Sequence, residues 1–143
     1  MKIYTRAGDA GETSLYRGGR IQKDAPRIEA CGAVDELNCI LGLVLSNHQS
    51  GSGTAGGAAG LPDVAGDAAG LPHLLGRVQH DLFLIGADLA TPAEAVRAGD
   101  EVPRLAAGAE RFLEEAIDDL ERNLPPLKRF ILPGGCPEAA LLH

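Results

Sequence analysis

The 143-residue sequence predicts an all-α fold in which the helices pack as a bundle. Hydrophobic residues occupy 45% of positions, which is enough for one ordinary domain to bury a core. Only 3% of residues are aromatic and Trp is absent, so the core must consist mainly of Leu, Ile, Val and Ala. Such a core suits close helix packing better than a sheet sandwich. Three long stretches also carry apolar residues at helical spacing.

The charge and the cysteines exclude several classes of protein. A net charge of −7 argues against a general nucleic-acid binder, because such binding needs a broad basic surface. Cys31, Cys39 and Cys136 are odd in number and widely spaced, so we expect free thiols and neither a disulfide framework nor a zinc site. No apolar run approaches a membrane span and no signal pattern opens the chain. We therefore expect a soluble, cytoplasmic protein without membrane contact.

The first 26 residues form an irregular arm that contains the run YTRAGDAGETSLYRGGR at 4–20. Residues 1–29 hold six Lys or Arg against four acidic residues, so basic charge is concentrated here although the whole chain is acidic. Gly8 and Gly11 can adopt positive φ angles that turn backbone N–H groups toward an anion. Hydroxyls and a cation stand nearby in Thr5, Thr13, Ser14 and Lys23. The residues alone also allow a second interpretation, in which the arm is only a mobile tail.

The first predicted helix covers 26–46 and carries two stripes. One is apolar and consists of Ala30, Val34, Leu37, Leu41 and Val44. The other is small and polar and consists of Cys31, Asp35, Asn38 and Gly42. Such a stripe either lets another helix approach closely or presents a carboxylate to a neighbour. From the pattern alone, Asp35 is more typical of a surface group or of a satisfied structural pair.

The middle of the chain predicts an insertion and two more helices. Residues 47–72 are rich in Gly, Ala and Ser and contain two Leu-Pro steps, which predicts a flexible insertion. A second helix is expected over 73–90, with apolar groups on several sides that imply burial in a bundle. A third is expected over 104–123. Its apolar face would contain Leu105, Ala109, Phe112, Leu113, Ala116 and Leu120, and its solvent face would contain the pairs Arg111/Glu115 and Asp118/Arg122.

The last twenty residues indicate that the third helix ends, that a turn follows and that a new helix then begins. Two prolines at 125–126 end the third helix, and 130–135 read as a rigid extended turn. Pro137 with Glu138 makes a good first turn of a C-terminal helix. We expect that helix to be incomplete at His143, either in a piece of a longer protein or in a truncated relative. An aromatic residue such as Phe130, placed before Ile-Leu-Pro, is more often a core plug.

Five motifs together carry a family resemblance. They are TRAGDAGETS at 5–14, RIQKD at 20–24, AVDELN at 33–38, QHDLFLIG at 79–86 and FILPGGC at 130–136. Each motif is weak alone, but their order and spacing are specific and cover nearly the whole chain apart from the insertion. In these motifs the sequence resembles the PduO-type ATP:cob(I)alamin adenosyltransferases.

The resemblance implies a single adenosyltransferase-like domain over 1–143, built as a five-helix, ferritin-like bundle. It implies a homotrimer with the active site between subunits. The implied reaction moves the 5′-deoxyadenosyl group of ATP to the cobalt of cob(I)alamin and releases triphosphate. Mg²⁺ would arrive with ATP rather than at a metal site of the protein, and an adenosylcobalamin-dependent enzyme is a possible acceptor of the product.

The resemblance also implies roles for individual residues. Those that match the ATP-wrapping positions of the family are Thr5, Arg6, Ala7, Gly8, Thr13, Ser14 and Lys23. Asp35 matches one half of a salt bridge across the subunit interface beside the corrin. Phe130 matches a residue against the lower corrin face that displaces the axial base and makes the cobalt easier to reduce. Family members continue past the position of His143 into an Arg-rich, triphosphate-binding helix, so a non-catalytic module or escort for cobalamin or a nucleotide stays as the alternative.

Overall fold

The computed structural model describes residues 4–51, 70–97, 102–122 and 124–143. The elements are β1 (Glu12–Ser14), β2 (Arg20–Gln22), α1 (Pro26–Gly51), α2 (Gly70–Ala90), α3 (Ala109–Glu121) and α4 (Pro137–Leu142), with a 3-10 turn at Ala93–Ala95. The prediction of a helical fold is confirmed. A small antiparallel hairpin, which the sequence did not predict, precedes the helices.

The described residues fall into two compact units. The first contains Met1–Leu37 and Asp81–Leu105, and the second contains Asn38–His80 and Ala106–His143. Both α1 and α2 are continuous helices that contribute to each unit. The first unit therefore holds the hairpin, and the second holds α3 and α4.

In the first unit, the hairpin loop is attached to the end of α2. The N–H of Tyr16 donates to the carbonyl oxygen of Ala90 at 2.9 Å. Gly18 sits so close to Pro92 that a Cβ at position 18 would lie 2.9 Å from the Pro92 Cγ. Only glycine fits there, and the hairpin consequently packs on the residues that follow α2.

The C-terminal turn of α2 is capped by side chains of the same unit. Arg27 Nη1 donates to the carbonyl oxygen of Leu89 at 3.0 Å, and Thr91 Oγ1 donates to the carbonyl oxygen of Ala87 at 2.8 Å. Arg104 forms an ion pair with Asp88. Carbonyls in the last turn of a helix have no backbone partner within the helix, so the side chains of Arg27 and Thr91 supply donors to this turn, while Arg104 pairs with a side chain.

Among the described residues, the buried apolar side chains of the second unit come from three helices: Leu41 and Val44 from α1, Leu75 from α2 and Ala109 from α3. The small polar stripe of α1 contacts α2 in this region, because Gln79 Nε2 donates to the carbonyl oxygen of Asn38 at 3.0 Å. A Cβ at Gly42 would lie 3.2 Å from the same Gln79 nitrogen. At these two positions the stripe thus allows close approach of a helix of the same chain.

The third helix differs from its prediction at its start and on its surface. It begins at Ala109 rather than at 104, because Gly108 has a φ of 87° that no right-handed helix contains. Leu105 therefore lies outside the helix. The predicted Arg111/Glu115 pair is present at 3.9 Å. The predicted pair of Arg122 with Asp118 is wrong. Arg122 instead pairs with Asp119, three positions before it, and its Nη2 lies 2.5 Å from Asp119 Oδ1.

The predicted insertion is too long at both ends. Residues 47–51 belong to α1 and residues 70–72 belong to α2. Proline lacks a backbone N–H, but the first turn of a helix leaves its N–H groups unpaired in any case, so Pro72 fits at the start of α2. The remaining part of the predicted insertion, 52–69, lies outside the described residues.

Three residues that were predicted to lie on apolar faces are exposed, namely Leu37, Leu105 and Leu113. The C-terminal helix begins at Pro137 as predicted, and the Cys136 Sγ caps it by accepting from the N–H of Ala139 at 3.4 Å. Across the part of the chain that the structure describes, no helix combines the length and the apolar character needed to cross a bilayer.

Candidate functional site

The turn that precedes β1 is held by its own backbone and by one hydroxyl. Thr5 Oγ1 accepts from the N–H of Ala7 at 3.3 Å, and the N–H of Asp9 donates to the carbonyl oxygen of Arg6 at 3.4 Å. Arg6 has a φ of 61°, in the left-handed region that side-chain-bearing residues seldom adopt. Such a conformation costs about 1–3 kcal/mol and occurs where the surrounding structure enforces it, often at ligand sites. Arg6 and Ala7 therefore belong to a constrained turn.

Gly8 and Lys23 meet at this turn. The N–H of Lys23 donates to the carbonyl oxygen of Gly11 at 2.9 Å, which extends the β1–β2 pairing by one step. A Cβ at Gly8 would lie 3.3 Å from Lys23 Nζ and 3.0 Å from the carbonyl oxygen of Glu12. Glycine thus leaves the space in which the ammonium group approaches the backbone.

Two donors at this point are available to a ligand. Among the residues that the structure describes, the Lys23 ammonium has no carboxylate partner and the N–H of Gly8 donates to no acceptor. An unpaired cation beside an unused backbone N–H is the kind of arrangement that binds a phosphate oxygen.

The two hydroxyls of β1 lie on opposite faces of the hairpin. Thr13 pairs with Ile21, and Ser14 pairs with Arg20. Successive side chains of a strand alternate between faces, and paired residues share a face. Thr13 therefore lies on the face that Lys23 continues, whereas Ser14 lies on the face of Arg20. A ligand on one face of the hairpin contacts only one of these hydroxyls directly.

A polar network that none of the five motifs indicates covers the Ser14 face. Arg20 Nε donates to Glu12 Oε2 at 2.9 Å, and Arg20 Nη2 donates to the carbonyl oxygen of Ala7 at 2.5 Å. Gln22 Nε2 donates to Glu12 Oε1 at 3.3 Å. The sequence signal for the hairpin is weak, because ETS at 12–14 is polar throughout and only the polar–apolar–polar order of RIQ at 20–22, with the turn residues at 17–19, points to it. The pairing of Glu12 with Gln22 comes from the structure.

Asp35 lies exposed on α1 in the first unit. Within the described ranges its carboxylate makes no ion pair or hydrogen bond, so it is a surface group with no structural partner among those residues. Its carboxylate is available to a neighbouring molecule.

Phe130 lies in the second unit and is fully exposed. The interpretation of this residue as a core plug is therefore wrong. Leu127, Ile131 and Leu132 beside it are also exposed. Together with Arg129 and His143, Phe130 borders an open pocket of about 420 Å³. The segment 127–132 therefore exposes an apolar surface to which a ligand or a partner can bind.

The seven residues expected to contact a nucleotide thus lie in the arm of the first unit, while Phe130 belongs to the second unit. The family model described as cobalamin adenosyltransferase matches residues 3–143. The chain belongs to the cobalamin adenosyltransferase family. The resemblance seen in the five motifs is thereby confirmed.

Curated members of the cobalamin adenosyltransferase family resemble the chain over its whole length. A corrinoid adenosyltransferase of Bacillus subtilis is 39% identical over 143 residues, which are all of this chain and 64% of that protein. The corrinoid adenosyltransferase PduO of Citrobacter freundii is 38% identical over all of this chain and 37% of its own length. The chain therefore spans less than two thirds of these two relatives.

Solved structures of the cobalamin adenosyltransferase family share the fold. A phenylalanine-to-alanine variant of a PduO-type ATP:corrinoid adenosyltransferase from Lactobacillus reuteri, complexed with cobalamin and ATP, superposes with a TM-score of 0.74 at 33% identity. The match covers 99% of this chain and 68% of that one. An arginine-to-lysine variant from the same organism, complexed with ATP, gives a TM-score of 0.71 at 34% identity, over 98% of this chain and 67% of that one.

Proposed function

We propose that this chain is the core of a corrinoid adenosyltransferase that moves the 5′-deoxyadenosyl group of ATP to the cobalt of cob(I)alamin. The observation that carries the proposal is the contact between Gly8 and Lys23, where an unpaired ammonium lies beside an unused backbone N–H in a constrained turn. The Lactobacillus reuteri relatives, which are complexed with ATP and with cobalamin, support the choice of substrates.

The arm binds ATP in this proposal. Lys23 and the N–H of Gly8 hold phosphate oxygens, while Thr5, Arg6 and Ala7 shape the turn around them. Thr13 faces the nucleotide from the Lys23 side of the hairpin, and Ser14 contacts only a part of the ligand that reaches around the edge. Mg²⁺ enters as the complex of ATP.

The exposed apolar segment around Phe130 contacts the corrinoid. Phe130 excludes the lower axial ligand, which eases reduction of the cobalt, and Asp35 pairs with a cation of a neighbouring subunit beside the corrin. In the transfer itself, an electron pair of cob(I)alamin forms the cobalt–C5′ bond. The C5′–O bond breaks, and triphosphate leaves with that bonding pair. Holding ATP still and excluding water are the contributions of the protein.

The assembly in this proposal is a homotrimer. It is supported by large apolar side chains that α1 leaves exposed, namely Leu37, Ile40 and Leu43. Exposed apolar patches of this kind mark interaction surfaces. A cytoplasmic location and delivery of the product to an adenosylcobalamin-dependent enzyme complete the proposal and stay predictions.

An assay of the complete gene product tests this function. The protein is incubated with ATP, Mg²⁺ and chemically reduced cob(I)alamin in the dark. We expect the absorbance spectrum to change to that of adenosylcobalamin, with one triphosphate released per transfer. Binding of both substrates without turnover would favour the non-catalytic binding module instead. Binding of neither would contradict both functions.

A further inference from the structure

Arg20 is the residue that connects β2 to the nucleotide turn. Its Nη2 donates to the carbonyl oxygen of Ala7 at 2.5 Å, and its Nε donates to Glu12 Oε2 at 2.9 Å. The second oxygen of Glu12 accepts from Gln22 at 3.3 Å. Arg20 thus fixes the turn, and together with Gln22 it engages both oxygens of the Glu12 carboxylate.

The hydrogen bond between Arg20 and the carbonyl oxygen of Ala7 sets the direction in which the N–H of Gly8 points. No peptide bond in the described ranges is cis, so the bond between Ala7 and Gly8 is trans. In a trans peptide the carbonyl and the following N–H point in opposite directions. Because the Ala7 carbonyl points toward Arg20, the N–H of Gly8 points away from Arg20. This N–H is one of the two donors in the proposed phosphate site.

Arg20 works from the opposite face of the hairpin. It pairs with Ser14, whereas Thr13 and Ile21 share the other face, which Lys23 continues. The ion pair with Arg20 also balances the charge of Glu12, which would otherwise repel a triphosphate close by.

We propose that Arg20 is a positioning residue for the nucleotide. It holds the Ala7–Gly8 peptide and neutralises Glu12 from the far side of the hairpin, without touching ATP. This inference rests on the proposed function, which supplies ATP as the ligand.

The main test is Arg20→Gln in the complete protein. Loss of a charged hydrogen-bond partner typically changes affinity by about 10- to 100-fold, and we expect the Kd and KM for ATP to rise by that factor. The value of kcat at saturating ATP should change by less than about threefold, because the contact serves binding in the ground state and the transition state alike. The KM for cob(I)alamin should not change. Arg111→Gln, which removes an exposed ion pair on α3, is the matched control and should leave all three values unaltered.

A second measurement needs no nucleotide. Amide hydrogen exchange at Gly11 and Lys23, whose N–H groups donate to Gly8 and Gly11, should accelerate in Arg20→Gln because the turn loses its support. Glu12→Gln keeps the contact between Arg20 and Ala7, so it should change the KM for ATP by less than about threefold and leave the exchange slow.

The outcomes separate this inference from the proposed function. Weaker ATP binding without faster exchange would mean that Arg20 does not hold the turn, which overturns the positioning role. Unchanged ATP affinity in Arg20→Gln would overturn it as well. If the unmodified protein bound no ATP, the proposed function would fail, while the exchange measurement would still decide whether Arg20 holds the turn.

Discussion

Glycine at position 8 shows how the absence of a side chain can create a site. A Cβ there would lie within 3.3 Å of both the Cε and the Nζ of Lys23 and would push the ammonium away from the backbone. The constrained φ of Arg6 keeps the same turn in one conformation. At the scale of single residues, the affinity for an anion is expected to depend on these few groups.

Lys23→Ala should weaken ATP binding by about 1–3 kcal/mol, which is the usual effect of losing a charged hydrogen-bond partner. The side chain is exposed, so the fold should stay intact. Isothermal calorimetry measures the ATP affinity and thermal unfolding checks the fold. Arg122→Ala, which removes the exposed pair with Asp119 at the C-terminal end of α3, serves as the control. Equal ATP affinity in Lys23→Ala and the unmodified protein would count against the assignment.

Phe130→Ala should change the free energy of unfolding by less than about 0.5 kcal/mol, because the ring is fully exposed. Leu75→Ala, at a buried position, should lower the free energy of unfolding by about 2–5 kcal/mol in the same denaturant titration.

In the complete protein, Phe130→Ala should slow transfer that starts from cob(II)alamin and spare transfer from pre-reduced cob(I)alamin. Equal slowing from both starting states would place Phe130 outside the reduction step.

Among the helices, the pairing of α1 with α2 in the second unit depends on small groups. Gly42 allows Gln79 to approach, and Gln79 then donates to the carbonyl oxygen of Asn38. The side-chain oxygen Oδ1 of Asn38 is buried with no hydrogen-bond partner among the described residues. A Cβ at Gly42 would already lie 3.2 Å from Gln79 Nε2, so this contact tolerates little extra volume.

Gly42→Leu should destabilise the protein by about 1–3 kcal/mol, because the larger side chain displaces Gln79 and overpacks the contact. Gly76→Ala on α2 is the matched control: a Cβ at position 76 meets nothing within 4 Å, so alanine should stabilise the helix by about 0.5–1 kcal/mol. Both values follow from chemical denaturation. A destabilising Gly76→Ala together with a neutral Gly42→Leu would show that the two sites have been assigned the wrong way round.

For the whole molecule, the distribution of apolar surface is the main consideration. Three large apolar residues of α1, namely Leu37, Ile40 and Leu43, and the apolar segment around Phe130 are exposed to solvent. Such surfaces are typical of a protein that buries them against other molecules. The proposed trimer covers the surface of α1, and the proposed corrinoid covers the segment around Phe130.

The complete protein should sediment as a trimer, and Leu43→Glu should dissociate it, because a carboxylate would then be buried in the subunit interface. Analytical ultracentrifugation gives the mass of the assembly. Ile117→Glu makes the same kind of change at an exposed position of α3 and should leave the trimer intact. A Leu43→Glu variant that stays fully trimeric would exclude this part of α1 from the interface.

The sequence by itself determined the helices and the family. Helical spacing predicted α1 and α2, Pro137 predicted the start of α4, and five ordered motifs identified the cobalamin adenosyltransferase family. These features depend on residues that are close along the chain, or on motifs read together.

Other features were decided only by the tertiary structure, because they depend on contacts between residues far apart in the sequence or on backbone angles that the local sequence does not fix. It placed Thr13 and Ser14 on opposite faces, because strand register fixes faces and the hairpin had not been predicted. The structure also shows that α3 begins after Gly108, which the sequence did not indicate because a glycine occurs both within helices and at their ends. It also exposed Phe130, because burial depends on which surfaces surround a side chain and not on the neighbouring residues in the sequence.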